Sequence, residues 1–511
     1  MFCSRSLFAS TAISLTMMAN AAYADLTAAQ VWGDWKSYME GMGYTVTATE
    51  AANGDTLAVS GVSVEIDGGP DIEKMRIGMG AVELVGNSNG TVDVVMPDVM
   101  PIIVEIDPKS TDKPAKFELA YTQSGQKMMV SGDPAAMAYD YEADTFSLAL
   151  TSVLVDGTVM DQNAARFSLA GTGVQSQTTV TVGETRNYAQ TAQIGSVVYD
   201  LFFKDPNAVE AVNLNSTTQS VAFTGTSVVP VDQALQMEDF IPMLAAGFAF
   251  DGAFTTQGTE TKMEITSDDG TTKIKTGSAN ATLAVAMGAE GINYNVAAEQ
   301  VQVGGQLAGL PFPLFAEMEK TGFSLRAPVL KSDTPQDVKL AFNATGFTMS
   351  DIIWALFDPS SQLPRDPATI ALDVSGKAKV LLDSVDPAPM QAMVESDGKP
   401  GELHALTINR LTVDAVGAKL DATGDFVFDN TDKTTLPGFP KPVGAVNINL
   451  TGANGLIDKL IAMGFLPAEQ AMGARMMMGM FAVPGDAPDT LKSKIKFNEA
   501  GQILANGQRL K

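Results

Sequence analysis

The chain has 511 residues, enough for two or three domains of ordinary size, and its 45% apolar and 18% charged residues exclude a disordered or tail-dominated protein. A net charge of −26, from 33 Lys+Arg against 59 Asp+Glu, repels a phosphate backbone and sets nucleic acid aside as a partner. One His and one Cys are too few for a zinc site or a disulfide framework.

Residues 1–24 carry one cation, Arg5, then an uncharged stretch from Leu7 to Met18, then Ala22-Tyr23-Ala24 before Asp25. This is the pattern of a secretory signal peptide cleaved after Ala24, which implies a periplasmic protein. The apolar run is about 12 residues, short of the roughly 20 that a spanning helix needs. Cys3 falls within this leader, so the mature chain is expected to lack cysteine. Farther on, the longest apolar stretch, 240–250, is interrupted by Pro242 and Gly247, and no transmembrane helix is expected in the mature chain.

Thr27-Ala28-Ala29-Gln30 has the form of a capping box, and Val31, Trp32, Trp35, Tyr38, Met39 and Met42 follow at helical spacing. From Tyr44 onward the period becomes two. Leu57 and Val59 alternate with polar neighbours, as do Val62, Val64 and Ile66, with Gly61 at the change of parity where a bulge is expected. The same alternation recurs at Phe146, Leu148 and Leu150, at Met263 and Ile265, at Val338, Leu340 and Phe342, at Ile370, Leu372 and Val374, and at Val446, Ile448 and Leu450. One buried and one wet face is the antiparallel signature, and some twenty-five such segments predict a mainly β fold. Four stretches read as helical: 28–42, 191–203, 350–357, and 456–481 divided by Gly464 and Pro467. Leu201-Phe202-Phe203-Lys204-Asp205-Pro206 and Trp354-Ala355-Leu356-Phe357-Asp358-Pro359 end alike, which suggests two related halves, 25–245 and 246–511. The proline-rich stretch 385–401 reads as a long surface loop.

Gly86-Asn87-Ser88-Asn89-Gly90 matches the G-x-S-x-G pattern of hydrolases, but that motif needs a helix after it and Thr91 to Met96 reads as a strand. Ser88 is therefore expected in a hairpin turn. His404 shares strand parity with Leu406 and Ile408 and reads as a partly buried structural imidazole rather than a catalytic base. The abundant carboxylates alternate with apolar residues or occupy turns. No calcium loop, P-loop or HExxH motif is present, and no catalytic residue, metal site or cofactor is expected. Thioethers are soft ligands for Cu(I), but Met472, Met476 and Met480, one turn apart, more often form an adaptable apolar surface. Together with the stripe Leu456, Leu460 and Met463 they make the candidate binding surface.

The leading helix with Trp32 and Trp35, the run from Trp354 through Leu363-Pro364-Arg365-Asp366-Pro367-Ala368-Thr369 to Gly376, and the tail from Gly501 through Asn506-Gly507-Gln508 together resemble domain of unknown function 2125, an uncharacterised exported bacterial family. The closing strand-turn-strand also resembles the ends of AsmA-like envelope proteins, which implies long curved antiparallel sheets with an apolar inner face and a role in lipid handling. The resulting expectation is a non-enzymatic periplasmic protein that binds a lipid-like ligand or an envelope protein. The alternatives are an outer-membrane barrel, which the 7% aromatic content and the ending Arg509-Leu510-Lys511 oppose, and a carboxylate-based carbohydrate-active enzyme. Mass spectrometry of the protein from its native source should find Asp25 at the N-terminus; a chain that still begins at Met1 would contradict export by cleavage.

Overall fold

The computed structural model describes residues 25–510 except 68–71, 110–112, 162, 206–207, 232–239, 384–392 and 394–398. The expected leader and most of the 385–401 loop lie outside the described residues. Thr27 caps the first helix, α1 (Ala28–Gly41): its hydroxyl accepts from the Gln30 N–H, and the Gln30 side chain accepts from the Thr27 N–H at 2.9 Å, completing the predicted capping box.

Strands then follow almost without relief. They are β1 (Thr45–Asn53), β2 (Thr56–Asp67), β3 (Ile72–Met79), β4 (Val82–Gly86), β5 (Val92–Val95), β6 (Val99–Pro108), β7 (Ala115–Ser124), β8 (Lys127–Asp133) and the 20-residue β9 (Ala136–Val155). Next come β10 (Thr158–Val159), β11 (Ala165–Val182), β12 (Thr185–Lys204), β13 (Ala211–Thr218), β14 (Ser220–Pro230), the short helix α2 (Phe240–Ala245), β15 (Ala249–Ser267), β16 (Gly270–Gly288), β17 (Gly291–Gln306), β18 (Leu314–Ala327) and β19 (Gln336–Met349). The chain closes with α3 (Asp351–Ala355), β20 (Ala368–Val380), β21 (Gly401–Ala415), β22 (Ala418–Asp429), β23 (Lys441–Thr451), α4 (Ala453–Ala462), α5 (Ala468–Phe481), β24 (Val483–Pro484), β25 (Thr490–Phe497), β26 (Ile503–Ala505) and β27 (Gln508–Arg509).

All 27 described strands belong to one antiparallel sheet, built mostly from hairpins of successive strands, with β2–β4, β3–β6, β5–β8 and β7–β9 pairing across intervening strands. Long strands serve two short ones set end to end: β9 pairs with β8 and β7, and β12 and β15 each pair with β14 and β13. The expected division after residue 245 falls between β14 and β15, which pair from Ser220↔Gln257 to Val228↔Ala249, so the sheet continues across it. The helix expected at 191–203 is instead the second half of β12, paired throughout with β11.

A seam runs across these strands at one level. Ladder pairs are missing between Ala143↔Val174 and Thr145↔Thr172, between Val174↔Ile194 and Thr172↔Ser196, between Gln257↔Asn280 and Thr259↔Ser278, and between Glu299↔Lys320 and Val301↔Met318. Alternate strands carry a left-handed residue there: Gly173 at φ 64°, Gly258 at 59°, Gln300 at 51° and Gly346 at 68°. Gly61 (φ 59°) continues the seam into β2, beside a register shift between Thr47 and Thr49, where the sequence predicts a bulge.

The consequence is a change of parity in the long strands that cross it, from β9, β11 and β12 through β15 to β19, whereas β20 keeps one parity because Ala344↔Ile370 is followed by Phe347↔Ala368. Tyr121 and Tyr141 touch through their hydroxyls at 3.2 Å and so share a face, while the residue opposite Tyr121 on β9 is Leu148. Odd-numbered Tyr141 and even-numbered Leu148 therefore look the same way, which a regular strand forbids. Cross-strand partners pass this switch along: Ser176 and Leu169 on β11, Ala192 and Tyr199 on β12, Phe254 and Thr261 on β15. Gly258→Val tests the seam. A β-branched residue at φ 59° is strained, and its Cβ would lie 2.6 Å from the Gln219 side chain. Urea unfolding should show a loss of about 1–2 kcal/mol, against little for Gly277→Val, whose Cβ meets nothing nearer than 3.5 Å. Equal losses would remove the left-handed seam as a constraint.

Candidate functional site: an apolar trough closed by helix α1

The register joins the alternating strands into one apolar lane. It runs Met128, Tyr141, Ser176, Ala192, Phe223, Phe254, Leu283, Val296, Phe323, Phe342, Leu372, Leu411, Ala422 and Ile448, each directly opposite the next. Parallel lanes flank it, among them Gly252, Val285, Tyr294, Leu325, Leu340, Val374 and Ile408. The opposite face is polar: Asp251, Asn293, Arg326, Lys339, Ser375, Thr407 and Asp425 occur along a single row there. From β15 to β20 the apolar face stays open, with Phe254 47%, Phe342 41% and Ile370 48% exposed, and at β22, where α4 packs, Ala422 is buried.

At its N-terminal end the same face curls around α1. Val31 and Trp32 are buried against Leu57, Val59, Leu84, Val92 and Val130. A buried Trp of roughly 150–250 Å² contributes about 4–6 kcal/mol at 25 cal/mol per Å². Polar contacts fix the helix to strands far apart in the sheet: Trp32 Nε1 donates to Glu50 of β1 at 2.7 Å, and Trp35 Nε1 donates to the Tyr139 hydroxyl of β9 at 3.2 Å. On β12, Arg186 donates twice to the Asp34 carboxylate, both at 2.8 Å, and once to the Tyr188 hydroxyl, while its guanidinium lies 5.1 Å from the centre of the Tyr38 ring. Burial alone would lower the Arg186 pKa, but the bonds to Asp34 and Tyr188 hold it above its ordinary value. Burial likewise pushes the Tyr139 and Tyr188 phenols up to about 12.

Between α1 and the sheet lies a cavity of about 580 Å³. Trp35, Tyr38, Tyr139, Tyr141 and Tyr188 line it with five methionines, Met39, Met79, Met96, Met100 and Met128. Polarizable thioethers and aromatic rings suit a flexible apolar guest. Met128, Tyr141 and Ser176 belong both to this cavity and to the lane, so the cavity opens onto the trough. A larger hollow of about 910 Å³ lies on the polar face, bordered by Asp93, Asp140, Glu142 and Lys127. There Glu142 is bound by Lys127 at 2.6 Å and Asp140 by Gln177 at 2.9 Å, which reads as a cross-strand polar ladder. Among the described residues no group of three His, Cys, Asp or Glu side chains is arranged to hold a metal ion.

Ser88 lies in the turn between β4 and β5, and His404 lies on β21, half-buried, with Nε2 3.9 Å from Glu402. The predicted surface divides: Leu456, Leu460 and Met463 are half-buried, whereas Met472, Met476 and Met480 are exposed on α5, Met472 at 72%. The trough itself is built by strands, and the signal for it, alternation at Phe342 or Ile370, shows which face is apolar only once register is known.

The run around Trp354 is architectural. Asp358 is fully buried and accepts from the Gln362 and Leu363 N–H groups, both at 2.9 Å, while Arg365 lies over the Trp354 ring. Burial would raise the Asp358 carboxyl, but those two bonds and Arg365 bring it below its ordinary value.

Fold and site define a β-trough protein: one antiparallel sheet with a continuous apolar face, closed at one end by a helix. Over residues 208–506 the chain matches DUF2125, described as an uncharacterized protein conserved in bacteria, and it belongs to that family. The Trp354 run lies within the matched region; α1 with Trp32 and Trp35 lies before it. No curated protein and no solved structure matches the chain.

The buried ion pair makes α1 testable. Asp34→Ala leaves Arg186 unpaired beneath the helix and should cost about 3–5 kcal/mol in urea unfolding. Arg186→Leu in that background should restore part of the loss; a single variant as stable as the parent would show that the pair does not hold α1.

Proposed function

We propose that this is an exported, non-enzymatic protein that binds a lipid-like ligand along its trough. The observation that carries the reading is the open apolar lane from Phe254 to Phe342, continuous with the methionine-lined cavity under α1. Apolar surface left in water is unfavourable by about 25 cal/mol per Å², and large exposed patches generally mark a binding surface. An acyl chain lying across the strands meets side chains every 4.7–4.9 Å, and from Ala192 to Phe342 none of these in the lane is polar. The resemblance of the closing sequence to AsmA-like envelope proteins is in keeping with this reading. A membrane-spanning barrel would need a closed sheet, whereas among the described residues β1 pairs only with β2 and β27 only with β26.

Purification from the native envelope followed by lipid extraction and mass spectrometry should recover a co-purifying lipid, reduced several-fold by Phe254→Asp or Phe342→Asp. Ser88→Ala and His404→Ala should leave the lipid yield unchanged. An empty parent protein, or equal lipid in all variants, would leave the trough without this role.

A further inference from the structure

The two ends of the trough differ in charge and in cover. Residues 441–511 hold eight Lys+Arg against five Asp+Glu, a net +3, whereas the preceding 440 residues carry −29. At this end α4 packs on β22 and α5 returns over the apolar face, where the Phe481 carbonyl accepts from Ser493 Oγ at 2.6 Å. One side of α5 is fixed to the protein: Ala471 is buried, and Arg475 donates to Asp458 at 2.6 Å. The other side is bare. Met472, Met476 and Met480 recur every four residues at 72%, 68% and 50% exposure, and Phe465 in the α4–α5 turn is 58% exposed. On β25, Lys494 and Lys496 alternate with Ser493, project from the polar face of the same end of the sheet, and have no carboxylate partner among the described residues.

We propose that the α4–α5 end docks on an anionic lipid bilayer. Apolar thioethers and Phe465 enter the interface while the local positive charge meets the headgroups, a pairing that the strongly acidic remainder of the molecule would oppose on any other side. The inference goes beyond the lipid-binding reading and does not depend on what the trough carries.

Vesicle co-sedimentation of the chain from Asp25 onward tests it, with phosphatidylcholine vesicles containing roughly 30% phosphatidylglycerol against phosphatidylcholine alone. The protein should bind the anionic vesicles preferentially and lose binding as salt rises. Replacing Met472, Met476 and Met480 together by Ser should weaken binding about tenfold or more, with an unchanged unfolding midpoint. Lys494→Glu with Lys496→Glu should abolish the preference for anionic lipid. Phe342→Asp should retain vesicle binding even where it loses the trough lipid, which separates the two readings. A parent that does not bind vesicles, or a triple Ser variant that binds as the parent does, overturns the proposal, as does binding to a protein with none to lipid.

Discussion

A strand turns successive side chains to opposite sides, and that two-residue period is the constraint on which this molecule depends. Strands of up to 20 residues crossing a bent sheet must keep one face apolar throughout. The seam meets the requirement by changing parity once, at the same level, in each long strand from β9 to β19 that crosses it, with left-handed residues on alternate strands. Gly258 and Gly346 are suited to it because the left-handed region costs a residue without Cβ nothing. Bulges of this kind increase local twist and bend the sheet, so the same device keeps the apolar face coherent and helps make it concave.

The apolar face is largely exposed beyond β14, and its first part is covered by α1. Helix α1 joins β1, β9 and β12 by side-chain bonds that no neighbouring strand can make. The Asp34–Arg186 pair, each side chain about nine-tenths buried, is the strongest of these by geometry. It also fixes how wide the cavity can be, since it sets the distance between the helix and β12. Beyond β14, Phe254, Phe315, Phe323 and Phe342 are exposed, and α4 packs farther on, at β22.

Much of this was legible in the sequence. The capping box at Thr27, the parity change at Gly61, the turn holding Ser88 and the alternation in the later strands all follow from local chemistry. The misreading of 191–203 as helix has a physical cause. Crossing the seam, the inward-facing residues run Ala192, Ile194, then Val197, Tyr199 and Leu201, so the step from 194 to 197 imitates helical spacing. The trough stayed hidden for a related reason: Phe254, Leu283 and Phe323 are far apart in the chain, and only the ladder makes them neighbours. By contrast, the methionines of α5 stand out because they are close in sequence, although they face solvent rather than the trough.

The coherent apolar face can be tested residue by residue, since Cys3 is the chain's single cysteine and lies before Asp25. The measurement is a single-cysteine scan along β19 in the chain from Asp25 onward, each site carrying an environment-sensitive fluorophore quenched by a brominated fatty acid. The account predicts quenching at positions 340, 342 and 344, none at 339, 341 and 343, and a reversal beyond Gly346 so that 347 and 349 are quenched and 348 is not. An alternation that continues through Gly346 without reversal, or quenching without regard to parity, would contradict it.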